Sequence, residues 1–245
     1  MGTSGLLVLS QDSLAGEVDT GAAEAAVGTA AGLLLPRFEA LAAQLVGTLP
    51  RPVVLLVDRR LADEIYPREQ IRRDHGFSER QNLPEVVAIG ISFVASRRVS
   101  AMLREQVNPS EVSLAEGGHF IALCVPRLAS AASACQADWA TATTVVLAHE
   151  LVHWYRGAGQ PLSRGIEEAT AQLVTAEILR RDPDRARAET LLRFQRDLAQ
   201  RQPSMYRTYK EVGTTLRAET DEEVTQRTVD ELTAIGRRKI SFPKP

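Results

Sequence analysis

The chain has 245 residues, 44% of them hydrophobic, so it can bury a sizeable core, and a single domain is the default expectation. Its formal net charge of −2 argues against a nucleic-acid-binding face across the whole protein. Two cysteines, Cys124 and Cys135, are too few for a disulfide framework, and we expect free thiols in a reducing cytoplasm.

The amino terminus carries a short apolar run, Leu6–Leu9, which lacks a positively charged leader and is soon followed by Asp12. This pattern argues against a secretory signal, and no apolar stretch of the chain reaches the length of a transmembrane helix. We therefore expect a cytoplasmic protein with no membrane partner, whose residues 1–12 form a loose leader.

From Gly16 to Val46 the sequence is rich in alanine and leucine, with a break near Pro36. It predicts one long interrupted helix, or two helices, packed on the body of the protein. We accordingly divide the chain into an N-terminal helical extension, residues 1–50, and a main domain, residues 51–245.

The first part of the main domain combines apolar strand signals with short helices. Pro52–Asp58 is a continuous apolar run and predicts a buried strand, and Val86–Val94 is rich in β-branched residues and predicts another. Leu61–Gln70 predicts a short helix or a turn, and Val99–Gln106 predicts a short helix. Gly117–Pro126 predicts a turn and a strand that is closed by proline.

The sequence His149-Glu150-Leu151-Val152-His153 is an H-E-x-x-H string. Positions i and i+4 share one face of a helix, so both histidines can point at one metal ion, with Glu150 beside a water on that metal. The surrounding segment from Ala140 to Tyr155 contains no glycine or proline, and Asp138 or Thr141 could cap its start. The alternative is a buried helix that carries two structural histidines.

A catalytic zinc ion needs a third protein ligand and an open position for water. The next suitable residues are Glu167 and Glu168, on a second predicted helix that Ser163 could cap. Fourteen residues separate His153 from Glu168. A turn rich in glycine lies between them and the motif, and it allows the chain to return to the metal. From the residues alone, both glutamates remain candidates.

The motif followed by Ile166-Glu167-Glu168-Ala169 resembles the gluzincin metallopeptidases, the thermolysin-like clan, in a small single-domain form. The resemblance covers about residues 120–180. It implies an α+β, zincin-like fold, in which a small mixed sheet with an edge strand lies over a helix-rich body that carries the motif helix. It also implies one Zn²⁺ per chain, held by His149, His153 and Glu168. The acidic residue that follows the glutamate ligand by four positions in thermolysin is Gln172 here.

The same resemblance implies an active-site core over residues 118–180, with the strand that precedes the motif helix at the edge of the sheet, where a peptide can pair with it. C-terminal helices are predicted over residues 184–245, beginning with Arg185–Gln200.

The implied activity is hydrolysis of a peptide or protein substrate, with Glu150 as the general base that activates the water. Candidates for stabilising the oxyanion are Tyr155, Tyr206, Tyr209 and His119. Two alternatives stay open: a non-catalytic or regulatory zinc-binding scaffold, and a metal hydrolase of non-peptide amides.

Overall fold

The computed structural model describes residues 6–16, 19–42, 52–75, 77–80, 82–84, 87–106, 117–156 and 164–202. Within these ranges it contains four strands and eight α-helices, an α+β arrangement. The strands are β1 (Leu7–Ser10), β2 (Val53–Val57), β3 (Gly90–Val94) and β4 (His119–Cys124).

The described elements alternate between strands and helices up to β4 and are all helices beyond it, and a short 3₁₀ helix, Asp12–Gly16, comes after β1. The eight α-helices are α1 (Thr20–Ala42), α2 (Arg59–Ile65), α3 (Arg68–His75), α4 (Arg97–Gln106), α5 (Val125–Ala134), α6 (Trp139–Arg156), α7 (Arg164–Arg180) and α8 (Arg185–Arg201). None of these helices is long and apolar enough to cross a membrane.

The sheet has the strand order β1-β2-β4-β3. Strands β1, β2 and β4 run parallel, and β3 pairs antiparallel with β4, with Ser92 opposite Ile121. The prediction that the strand before the motif helix forms the sheet edge is therefore wrong. That strand is β4, which is flanked on both sides, and the edge position next to it belongs to β3.

The central strands bury side chains on both faces of the sheet, which explains their continuous apolar sequences. Along β2, Val54 and Leu56 join the larger core cluster, whereas Leu55 and Val57 join the smaller one. The larger cluster lies between the sheet and helices α1 and α5 to α8. The smaller cluster lies under α2 and α4.

Helix α6 lies in the middle of the larger core and packs against α1, α5, α7, α8, β3 and β4. Its first turn is capped by Asp138, whose Oδ1 accepts a 2.6 Å hydrogen bond from the backbone N–H of Thr141. The sequence left two caps open, and the structure selects Asp138. The H-E-x-x-H string therefore lies on a helix that is fixed on every side.

The N-terminal segment is part of the same core. Strand β1 pairs with β2, so the prediction of a loose leader is wrong for residues 7–10. Helix α1 runs through Pro36 as one helix, so the predicted break there is wrong. It buries Leu34 and Phe38 against α6, which confirms that the helix packs on the body. The domain boundary at residue 50 stays a prediction.

The structure also agrees with the predictions for the cysteines and for the first C-terminal helix. Cys124 and Cys135 are free thiols, as expected. Helix α8 confirms the predicted helix at Arg185–Gln200 to within one residue. The helices predicted beyond Pro203 lie outside the described residues.

Candidate metal centre

Three side chains from α6 and α7 converge on one point. His149 Nε2 and His153 Nε2 are 3.0 Å apart, and Glu168 Oε2 lies 3.2 Å from the first and 3.4 Å from the second. Three ligand atoms that bind one tetrahedral zinc ion at about 2.0–2.1 Å are separated by about 3.3 Å. The three observed separations are close to this value, so these residues form a candidate metal site.

The local sequence explains this convergence. The i, i+4 spacing places both imidazoles on the same face of α6, one turn apart. Helix α7 packs against α6 and supplies Glu168, the residue that the resemblance implied as third ligand. Glu167 also lies on α7, but its side chain is not among those that the structure describes.

Glu168 is 2% exposed, and its environment favours the carboxylate form. Burial alone would raise its pKa, but the charge of His153 and the hydrogen bonds from both histidines outweigh burial and hold the pKa of Glu168 well below its usual value. A buried anion beside two imidazoles is a suitable donor set for a divalent cation. Two nitrogens and one oxygen leave a coordination position for water.

Glu150 lies next to this cluster on α6 and is 6% exposed. It contacts the start of the edge strand at Gly90. A Cβ atom added at Gly90 would lie only 2.5 Å from Glu150 Cγ and 2.7 Å from Oε1. The absence of a side chain at Gly90 therefore allows β3 to lie directly against the carboxylate.

A cavity opens beside Glu150 and His149, with an empty volume of about 460 Å³ that includes its open mouth. Ile89, Val145 and Leu198 form apolar walls. The polar lining comes from α7 and α8 and consists mainly of the uncharged side chains of Gln172, Thr175 and Gln195. The described lining therefore places no lysine or arginine beside the candidate metal site.

Gln172 is hydrogen-bonded to Gln195 of α8, whose Nε2 donates to the backbone oxygen and to the side-chain oxygen of Gln172, both at 2.8 Å. Gln172 stands out in the sequence as a departure from thermolysin, whereas Gln195 was not among the predicted site residues. These two residues are 23 positions apart, and the sequence contains no signal that links them.

The predicted oxyanion-stabilising residues have different surroundings. Tyr155 is 2% exposed and packs in the core, its ring 5.2 Å from that of Phe38. His119 accepts or donates a 2.9 Å hydrogen bond with Ser92 and stacks on Trp154. Burial lowers the pKa of His119 to about 4, so the ring is neutral at pH 7. Tyr206 and Tyr209 lie outside the described residues.

In comparisons with known proteins, the chain matches no family model, no curated protein and no solved structure. The resemblance to gluzincins therefore depends on the motif and on the side chains that converge around it. The conclusion that these observations support is that His149, His153 and Glu168 form a candidate metal-binding group in an α+β protein.

Proposed function

We propose that this protein is a zinc-dependent metallopeptidase of the gluzincin type, located in the cytoplasm. The observation that supports it best is the arrangement of His149, His153 and Glu168 around one point, with Glu150 beside them at the wall of a cavity. A purely structural metal site has no need of a neighbouring carboxylate that borders a cavity.

Zinc, when bound, supplies Lewis-acid activation of a water molecule and of the scissile carbonyl group. His149 and His153 would bind it as neutral imidazoles and Glu168 as a carboxylate. Glu150 would accept the proton of the water and transfer it to the leaving amine. A general base of this kind contributes roughly 10²- to 10⁴-fold to the rate.

The edge strand provides a means of holding a peptide. In the described part of the chain, β3 pairs only with β4, and it begins at Gly90 against Glu150. An extended peptide that adds to the outer side of β3 would pass close to the catalytic glutamate. The resemblance to gluzincins implied this role for β4, whose two sides are already paired.

Metal content and activity should be measured together. We expect about one zinc per chain in the purified protein, loss of zinc in Glu168→Ala, and retention of zinc in the matched variant Glu167→Ala. The Glu150→Gln variant should keep its zinc and lose at least about 100-fold in the cleavage of a peptide library.

The possible outcomes separate the alternatives. Zinc binding without cleavage of casein or of any library peptide would favour the scaffold reading. Full cleavage by Glu150→Gln would eliminate the general-base role. If the wild-type protein binds no zinc even when zinc is supplied, the two histidines are structural and the proposal of a zinc hydrolase fails.

A further inference from the structure

The polar side of the cavity beside Glu150 is formed by a pair of side-chain amides. Gln172 lies on α7 one turn beyond Glu168, and Gln195 lies on the facing side of α8. The two residues are 6% and 3% exposed, and both line the cavity. Both side chains are therefore held in place by the packing around them.

The hydrogen bonds determine which end of each amide carries the oxygen. Gln195 Nε2 lies 2.8 Å from the backbone oxygen of Gln172, which can only accept, so this end of Gln195 must be the NH₂ group. The same nitrogen lies 2.8 Å from the side-chain amide of Gln172, so the atom there must be the oxygen Oε1.

With the two amides oriented in this way, one hydrogen-bond donor and one hydrogen-bond acceptor of the pair are not used between them. Both N–H groups of Gln195 are used, as is one acceptor position on the side-chain oxygen of Gln172. Within the described residues, neither the NH₂ group of Gln172 nor the carbonyl oxygen of Gln195 has a partner. Both residues line the cavity, and neither of these two atoms is among the fully buried atoms without a partner, so both are accessible to a ligand that could hydrogen-bond with them.

A primary carboxamide is the chemical group that complements this pair. Its oxygen can accept from Gln172 while its NH₂ group donates to Gln195. A carboxylate has no proton to donate to the carbonyl oxygen of Gln195, and no lysine or arginine lies among the described lining residues. The apolar walls formed by Val145 and Leu198 suit the methylene stem of a side chain.

We propose that this cavity is a specificity subsite for a substrate residue with a carboxamide side chain, glutamine or asparagine, adjacent to the scissile bond. The subsite extends the proposed peptidase function, since it assigns a substrate class to the same site. Gln172 and Gln195 determine the specificity, while His149, His153 and Glu168 remain the metal ligands and Glu150 remains the general base of the proposed function.

A binding experiment tests the subsite without turnover. Zinc-loaded Glu150→Gln protein is titrated by calorimetry with N-acetyl-L-glutamine methylamide, with its asparagine analogue, and with N-acetyl-L-methionine methylamide of similar size. We expect the better carboxamide to bind about tenfold more tightly than the methionine compound, which corresponds to one or two well-placed hydrogen bonds. Equal affinities for all three compounds would overturn the proposal.

Two substitutions at Gln172, made in the same background, connect the preference to the amide pair. Gln172→Leu removes the donor, and Gln172→Glu keeps an oxygen for Gln195 while replacing the NH₂ group by a charged oxygen. Both should abolish the preference for the carboxamide and retain one zinc per chain, which reports an intact fold. Gln200→Leu, the same change at an exposed position of α8, should leave the preference unchanged.

Cleavage of a peptide library by the wild-type protein separates this proposal from the proposed function. Cleavage sites enriched in glutamine or asparagine on one side of the scissile bond would support both. Cleavage without this enrichment would keep the peptidase and exclude the subsite. If no peptide is cleaved, the proposed function fails, while the binding experiment still decides whether the carboxamide is recognised.

Discussion

Gly90 is the residue at which the edge strand touches the candidate general base. A methyl group at this position would lie 2.5 to 2.8 Å from three atoms of Glu150, closer than real Cβ atoms approach their neighbours. We expect Gly90→Ala to displace the Glu150 carboxylate and to lower kcat/KM at least about tenfold, since small displacements of catalytic groups can cost this much or more. Zinc content should stay at its wild-type level.

The control for this prediction is the same substitution on an exposed position of α1. Gly32 has no atom within 4 Å of an added Cβ, so Gly32→Ala should leave activity unchanged and stabilise the helix by roughly 0.5–1 kcal/mol. If Gly90→Ala were fully active, Glu150 would have to be mobile enough to avoid the methyl group, and the close contact would have no role in positioning it.

His119 makes the stability of the fold depend on pH. Burial lowers its pKa to about 4, whereas an unfolded histidine has a pKa of about 6.5. The unfolded chain therefore binds the proton more readily, and stability falls as the pH drops from about 6.5 to 4 and is not affected above this range. We therefore expect the stability lost between pH 7 and pH 5, measured by denaturant unfolding, to be smaller in His119→Gln than in the wild type. If His119→Gln lost as much stability as the wild type, the pH dependence would have to come from other titratable groups.

For individual site residues, the sequence predicts the contacts that depend only on spacing within one helix. The separation of His149 and His153 places them together on any helix, and Glu168 followed from the resemblance. Gly90 and Gln195 come from elements distant in the sequence, and their proximity to Glu150 and Gln172 arises only when β3 and α8 pack against α6 and α7. No spacing rule contains this information.

At the scale of elements, Asp182 joins three helices at the end of α7. It forms a 2.8 Å ion pair with Arg37 of α1, and Arg187 of α8 donates to it at 2.6 and 2.7 Å. Its side chain is 0% exposed. Burial alone would raise the pKa of Asp182, but the hydrogen bonds from Arg187 and Arg37 outweigh burial and lower it.

Removing this carboxylate should loosen the contacts among α1, α7 and α8. Asp182→Ala leaves Arg37 in a buried position without its anion, and we expect a loss of about 3 kcal/mol in the free energy of unfolding. Because the pKa is depressed, this contribution is present above about pH 4 and is lost on further acidification. Urea unfolding at pH 7 measures the loss directly.

The exposed pair formed by Arg185 and Glu189 on α8 is the matched control. Their side chains are 94% and 69% exposed and 3.4 Å apart. Glu189→Ala should change stability by no more than about 0.5 kcal/mol. Equal losses in Asp182→Ala and Glu189→Ala would show that the buried junction does not hold the helices together.

The sequence predicted strands and helices well where they are long or continuously apolar, such as β2 and α6. It did not identify β1, because four residues near a terminus carry little periodicity and form a strand only by pairing with β2. The resemblance to gluzincins also placed β4 at the sheet edge, whereas β4 lies between β2 and β3. Strand order depends on long-range pairing, so a pattern along one strand cannot reveal which neighbour lies beside it.

At the scale of the whole molecule, the candidate metal group connects two helices of the larger core. His149 and His153 belong to α6, which contacts most of that core, and Glu168 belongs to α7. An unfolded chain does not bring these residues together, so bound zinc stabilises the folded state. Thermal unfolding measures this effect for the complete chain and requires no knowledge of the substrate.

We expect free zinc at about 100 times its dissociation constant to stabilise the protein by about 2.7 kcal/mol. For a chain of this length, that corresponds to a rise of roughly 5–10 °C in Tm, and a chelator should reverse it. His153→Ala should lose the zinc-dependent rise, whereas Glu150→Gln should keep it, since Glu150 is not one of the three converging ligands. A rise of equal size in His153→Ala would place the metal elsewhere, and the three residues would then form an ordinary buried polar cluster.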